Sequence, residues 1–170
     1  ASAAEGTEIT LIVSPATGYK LKSLKVMFGE TELAVVNNKF AMPAGEVTIS
    51  ATFEKIDYPI SKEGTTNGSF EVNETATYGE TVTITITPDE GYELDKILVN
   101  NVALEEGVTT FTMPAYNVTI SVTFKAINYE ITKDSTTNGS FKVKETGIVG
   151  ETVTITATPK TNYVVREVKI

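Results

Sequence analysis

The chain has no cysteine, no histidine, no tryptophan and a single arginine, Arg166. Without cysteine no disulfide can brace the fold, and the redox compartment stays open, because cytosolic and many secreted bacterial proteins alike lack the residue. Without cysteine and histidine there is no Ser–His or Cys–His nucleophile pair, and the commonest metal ligand and usual general base are missing. Basic charge is scarce as well: 14 Lys and Arg face 22 Asp and Glu, for a net charge of −8. The lysines are scattered. Nucleic-acid binding needs a basic face that releases counterions from phosphates, so it is set aside, and an anionic membrane surface is disfavoured for the same reason. No apolar run approaches the ~20 residues needed to span a bilayer, so no membrane insertion is expected. The first six residues are small and polar and do not form a secretory signal.

What the sequence does have is repetition. Residues 58–87 and 129–158 share Thr-Thr-Asn-Gly-Ser-Phe and then Gly-Glu-Thr-Val-Thr-Ile-Thr, with Asn67 matching Asn138 and Gly79 matching Gly150, 71 residues apart. Residues 41–53 match 112–124 at the same spacing of 71. A repeat of this length indicates tandem modules, each with its own core, rather than one domain built around one cleft. Cut before Tyr58 and Tyr129, the chain holds a partial repeat over 1–56, a complete one over 57–127 and a partial one over 128–170. Cut before Gly6, Gly79 and Gly150, it holds two whole modules and a short tail, and the linker-like segments below favour the first division. The segments Glu54–Asp57 and Lys125–Asn128 read as linkers. A chain that starts and stops inside a repeat is expected to be a piece of a longer protein. Each partial repeat should expose a strand edge and half a core, and so fray or associate. Acidic charge is concentrated in the middle. Residues 57–127 carry 3 basic and 11 acidic side chains, against 5 and 6 in residues 1–56 and 6 and 5 in residues 128–170.

Strand patterning is strong. Val118, Ile120, Val122 and Phe124 alternate with threonine and serine, as do Val47, Ile49, Ala51 and Phe53 in the first repeat; this is the period of a half-buried strand. Val82, Ile84 and Ile86 alternate with threonine up to Pro88, and Val153, Ile155 and Ala157 do so up to Pro159. Asn67-Gly68 and Asn138-Gly139 suggest tight hairpins, since Asn-Gly tolerates positive φ. Around Tyr92–Val99 the inward parity changes, so a bulge near Asp95-Lys96 is expected. The first repeat is two residues longer between Tyr19 and Met42 than its counterpart between Tyr92 and Met113, marking a loop that accepts insertion. No helical periodicity appears. The expected fold is all-β: tandem β-sandwich-like modules of about 71 residues, six or seven strands each, with β-grasp-like modules as the alternative.

The Asn-Gly-Ser-Phe step, the Gly-Glu-Thr-Val-Thr-Ile-Thr strand, Pro88…Gly91-Tyr92, and the Met42-Pro43 and Met113-Pro114 turns resemble the divergent InlB B-repeat family of bacterial, mainly Gram-positive, surface proteins. Residues 58–125 cover the whole pattern, and 6–53 and 129–170 cover parts of it. Family members often carry tryptophan where this chain has Leu24, Ile97 and Val168. The resemblance implies an extracellular or cell-surface location, a stalk or adhesive role, and no catalytic residues or cofactor.

Candidate sites are few. Asp89, Glu90, Glu93 and Asp95 crowd around Gly91, where paired carboxylates could serve a glycosidase or loosely hold calcium. The calcium-loop spacing is missing, and acidic clusters at turns usually face water. Four glycosylation sequons, at Asn67, Asn73, Asn117 and Asn138, are expected by chance in so threonine-rich a chain. Aromatics that recur at matched positions (Tyr19/Tyr92/Tyr163, Phe40/Phe111, Phe53/Phe124, Tyr58/Tyr129, Phe70/Phe141) read as core. Tyr78 and Tyr116 do not recur, their counterparts being Val149 and Gly45. These two tyrosines, with Asp89 and Glu90, are the candidate contacts for a glycan or for a host or cell-wall protein.

Overall fold

A computed structural model describes residues 2–170, and all regular structure among them is β-strand. The first repeat supplies β1 (Glu8–Thr10), β2 (Tyr19–Phe28), β3 (Thr31–Leu33), β4 (Lys39–Ala41) and β5 (Thr48–Lys55). The middle repeat supplies β6 (Asp57–Lys62), β7 (Gly68–Glu71), β8 (Thr75–Thr77), β9 (Thr81–Thr83) and β10 (Thr85–Pro88). It continues with β11 (Tyr92–Val99), β12 (Val102–Ala103), β13 (Thr110–Thr112) and β14 (Val118–Ala126). The third repeat supplies β15 (Tyr129–Glu130), β16 (Gly139–Lys142), β17 (Thr146–Gly147) and β18 (Thr156–Pro159). A β-grasp module would require a helix, and there is none among the described residues.

Two compact units result, and they do not follow the repeats. One comprises Ala1–Lys62, Val72–Thr83 and Thr109–Thr119; the other comprises Glu63–Glu71, Ile84–Val108 and Ile120–Ile170. The middle repeat contributes to both. In the first unit β2 lies between β3 and β5, β1 pairs β4, β6 pairs β8, and β9 pairs β13, all antiparallel. In the second, β11 lies between β12 and β14, β7 pairs β10, β15 pairs β17, and β16 pairs β18.

The alternation sets the burial. In β14 Val118, Ile120 and Val122 are buried while Thr119 is exposed; Val82 and Ile84 are buried while Thr81, Thr83 and Thr85 face water. The bulge is present: between β11 and β14 the register shifts between Leu94 and Lys96, and between β2 and β5 it shifts between Leu21 and Ser23. One extra residue on the bulged strand restores the inward parity of Ile97 and Leu24.

Several expectations need correction. Asn67-Gly68 does not close a hairpin of β6 with β7, because β6 pairs β8 and β7 pairs β10. The chain between them instead runs beside β14: the Glu63 amide donates to the Ile120 carbonyl (2.9 Å) and Thr65 Oγ1 to the Val122 carbonyl (2.7 Å). Two of the tight turns are asparagine pairs. Asn37 and Asn38 (φ 53° and 59°), and Asn100 and Asn101 (φ 49° and 65°), hold both central residues left-handed, the geometry a two-residue hairpin turn needs. The single strand expected up to Pro88 is two, since β9 bonds β13 and β10 bonds β7. The two extra residues of the first repeat lie in no loop; they lengthen β2 to 10 residues against 8 in β11. Strands run into both expected linkers: a single residue, Ile56, separates β5 from β6, and two, Ile127 and Asn128, separate β14 from β15. Of the recurring aromatics only Phe40 and Phe70 are buried. Tyr19, Phe53, Tyr129 and Tyr163 remain 39–52% exposed, and their counterparts Tyr58, Tyr92 and Phe124 in the middle repeat are half-buried.

Candidate functional site

The feature that recurs most faithfully joins one repeat to the next. Gly18 ends a turn closed by the Tyr19 amide on the Ala16 carbonyl (3.0 Å) and takes φ +79°, which glycine alone adopts freely. Its carbonyl accepts the amide of Ile56 (2.9 Å), at the end of the first repeat. The side chain of Tyr78, from the middle repeat, lies over it so closely that a Cβ on Gly18 would sit 2.5 Å from the Tyr78 Cβ. The next junction copies this. The Tyr92 amide closes a turn on the Asp89 carbonyl (3.0 Å), Gly91 takes φ +81°, and its carbonyl accepts the Ile127 amide (2.8 Å). Val149, the counterpart of Tyr78, crosses Gly91 and would meet a Cβ there at 2.5 Å.

The residue that crosses each junction is held by a second repeated device. The Glu80 amide bonds the Thr77 carbonyl (3.0 Å), and its carboxylate folds back to accept the Thr77 amide (2.9 Å) and hydroxyl (3.1 Å). Those donors hold the Glu80 carboxyl below its ordinary range, the backbone amide contributing most. Glu151 does the same: Lys144 and the Ile148 amide (3.2 Å) lower its pKa, the lysine contributing most. The Gly79 amide donates to the Met113 carbonyl (2.9 Å) and the Met113 amide to the Glu80 carbonyl (2.8 Å), which seats the Tyr78 turn against the buried Met113.

Tyr78 therefore has one side on Gly18 and is 49% exposed on the other; Tyr116, in the turn after Met113-Pro114, is 61% exposed. Both belong to the same compact unit. In the first repeat the counterpart of Tyr116 is Gly45, where a Cβ would lie 2.8 Å from the ring of Phe28, one of the two inserted residues. Asp89 and Glu90 lie in the other unit, exposed on the Gly91 turn, with the Asp89 amide donating to the Asn67 carbonyl (3.1 Å). Their neighbours point elsewhere: Glu93 pairs with Lys125 (3.3 Å) and Asp95 accepts from Thr123 Oγ1 (3.0 Å). Among the described residues no group of acids is placed to hold a metal ion. The junction role of Gly18, Gly91, Ile56 and Ile127 escaped the sequence reading, although the Gly-Tyr step and the segments holding Ile56 and Ile127 were visible in it.

The profile of the divergent InlB B-repeat domain matches residues 1–57, 58–128 and 129–167. The chain belongs to that family. Neither a curated protein nor a solved structure matches it. InlB B-repeats are associated with bacterial surface proteins, and the domain is generally non-catalytic.

Proposed function

We propose that this chain is a non-catalytic tandem-repeat region of a bacterial cell-surface or secreted protein, serving as spacer and interaction array. The repeated junction carries this reading. A module that hands its chain to the next through the same glycine turn, amide bond and crossing side chain extends a protein in regular steps. Threonine-rich outer faces keep such an array wetted, and its outward side chains stay free for contacts.

A second reading draws on the exposed Tyr78 and Tyr116 of one unit, with Asp89 and Glu90 as further candidates in the other. It makes the middle repeat a recognition module for a glycan or for a host or cell-wall protein. Amphipathic tyrosines stack on sugar rings or protein surfaces while the hydroxyl stays wet. Binding to a panel of polysaccharides and matrix proteins, with Tyr78→Ala and Tyr116→Ala alongside, separates the two. Absence of saturable binding by the wild type is the expected result for a spacer. Saturable binding lost in either variant would replace that reading with recognition.

A further inference from the structure

In the middle repeat, chain near the start of the repeat lies beside the strand that ends it, and both run the same way. Past β6, the segment 63–67 follows β14, and its contacts advance together along both. The Glu63 amide donates to the Ile120 carbonyl (2.9 Å), and Thr65 Oγ1 donates to the Val122 carbonyl (2.7 Å). Next, the ring of Phe124 lies 2.7 Å from where a Cβ on Gly68 would sit. Rising numbers on one side meet rising numbers on the other, so the two are parallel, whereas the strand pairs around them are antiparallel. All six residues belong to one compact unit. The segment reads Glu63-Gly64-Thr65-Thr66-Asn67 and has no apolar side chain. Polar bonds rather than burial therefore fix it to β14.

Both partners are tied down beyond these contacts. The Asn67 carbonyl accepts the Asp89 amide (3.1 Å), and the chain continues as β7, in register with β10 from Gly68↔Pro88 to Glu71↔Thr85. On its other side β14 is held by β11, from Tyr92↔Ala126 to Val99↔Ile120. Just past β14 the Ile127 amide bonds the Gly91 carbonyl (2.8 Å). Neither partner can slide along the other without breaking bonds to the rest of the unit.

We propose that this parallel pair is a load clamp, which makes the middle repeat a tension-bearing element. The inference rests on the spacer reading, since a spacer is pulled along its own chain. Tension reaches the segment from the residues before Glu63 and reaches β14 from those after Ala126. It therefore acts at opposite ends of the parallel pair. The Glu63–Ile120 and Thr65–Val122 bonds and the Phe124 ring contact then lie across the load together, and all must give way at once. The same pair pulled at one end would unzip, one contact after another. Forced unfolding is governed by the unfolding rate rather than by equilibrium stability. A parallel pair of this kind thus raises resistance to tension without requiring a more stable fold.

Single-molecule pulling on the 170-residue chain tests this, and because the chain has no cysteine, an introduced pair fixes where force is applied. Glu63→Cys with Lys125→Cys loads the parallel pair at opposite ends; Thr66→Cys with Lys125→Cys loads it at the same end. All three positions are exposed. Release of roughly 200 Å of chain in either geometry identifies unfolding of this repeat and shows that it was folded. Opposite-end loading should need several times the force of same-end loading. Thr65→Val keeps the β-branched shape and removes the donor, so it should speed opposite-end rupture about fivefold, as loss of one hydrogen bond does. Equal forces in the two geometries, or an opposite-end rate unchanged by Thr65→Val, would overturn the proposal and leave the spacer reading standing. Failure of that reading shows separately, as saturable binding in the panel of polysaccharides and matrix proteins.

Discussion

At the scale of single residues, the glycines separate two kinds of constraint. Gly91 and Gly150 both take positive φ (+81° and +77°), but only Gly91 has a neighbour where a Cβ would go. Gly150→Ala should therefore cost only the left-handed strain, about 1–2 kcal/mol, whereas Gly91→Ala adds a clash with Val149 and should cost more. Denaturant midpoints measure both, and Val149→Ala should recover part of the Gly91→Ala loss and none of the Gly150→Ala loss. Glu80 gives a pH signature. Its carboxyl is held below its ordinary range when folded, so its stabilisation is fully present above the unfolded value and is lost as pH falls through the folded one. Thermal melts from neutral pH down through the carboxylate range should show that decline, reduced in Glu80→Gln. An identical decline in the variant would remove Glu80 from the account.

At the scale of the strand, two copies of one sequence sit in different surroundings. Ile49 and Ile120 occupy matched positions in β5 and β14 but are 47% and 0% exposed. Ile120→Ala should lose about 2–5 kcal/mol, as truncation of a buried aliphatic does, while Ile49→Ala should lose well under about 1 kcal/mol. Equal losses in chemical denaturation would mean that the first repeat is packed like the middle one. The same contrast explains how much was legible in the sequence. Alternation of Val118, Ile120 and Val122 with threonine, and the change of parity at Asp95, are local facts, so strands and bulge could be read directly. Pairing is not local. Nothing near Asn67-Gly68 indicates that β6 will bond β8 while β7 bonds β10, and the segment at Glu63–Thr65 is drawn to β14 by partners 57 residues away along the chain. The recurring aromatics misled for a related reason: recurrence does not fix burial, since Phe40 is buried while its counterpart Phe111 is only half-buried.

At the scale of the whole chain, the repeats are joined rather than merely strung together. The two junctions use different crossing side chains, Tyr78 and Val149, on the same glycine turn. Of the candidate contacts, the acidic loop and the two non-recurring tyrosines could be picked out by composition and by failure to recur. The junction could not, because it needs Gly18 and Tyr78, 60 positions apart, to be brought together in space. Amide hydrogen exchange at Ile56 and Ile127 tests that joining most directly, since each amide ends its repeat by bonding the glycine turn of that same repeat, to Gly18 and Gly91 at 2.9 and 2.8 Å, where the next repeat's Tyr78 or Val149 crosses. Slow exchange at both, comparable to the strand amides on either side, is what docked repeats require. Exchange at the rate of an open chain would mean that the repeats hang on free linkers, and it would contradict the account.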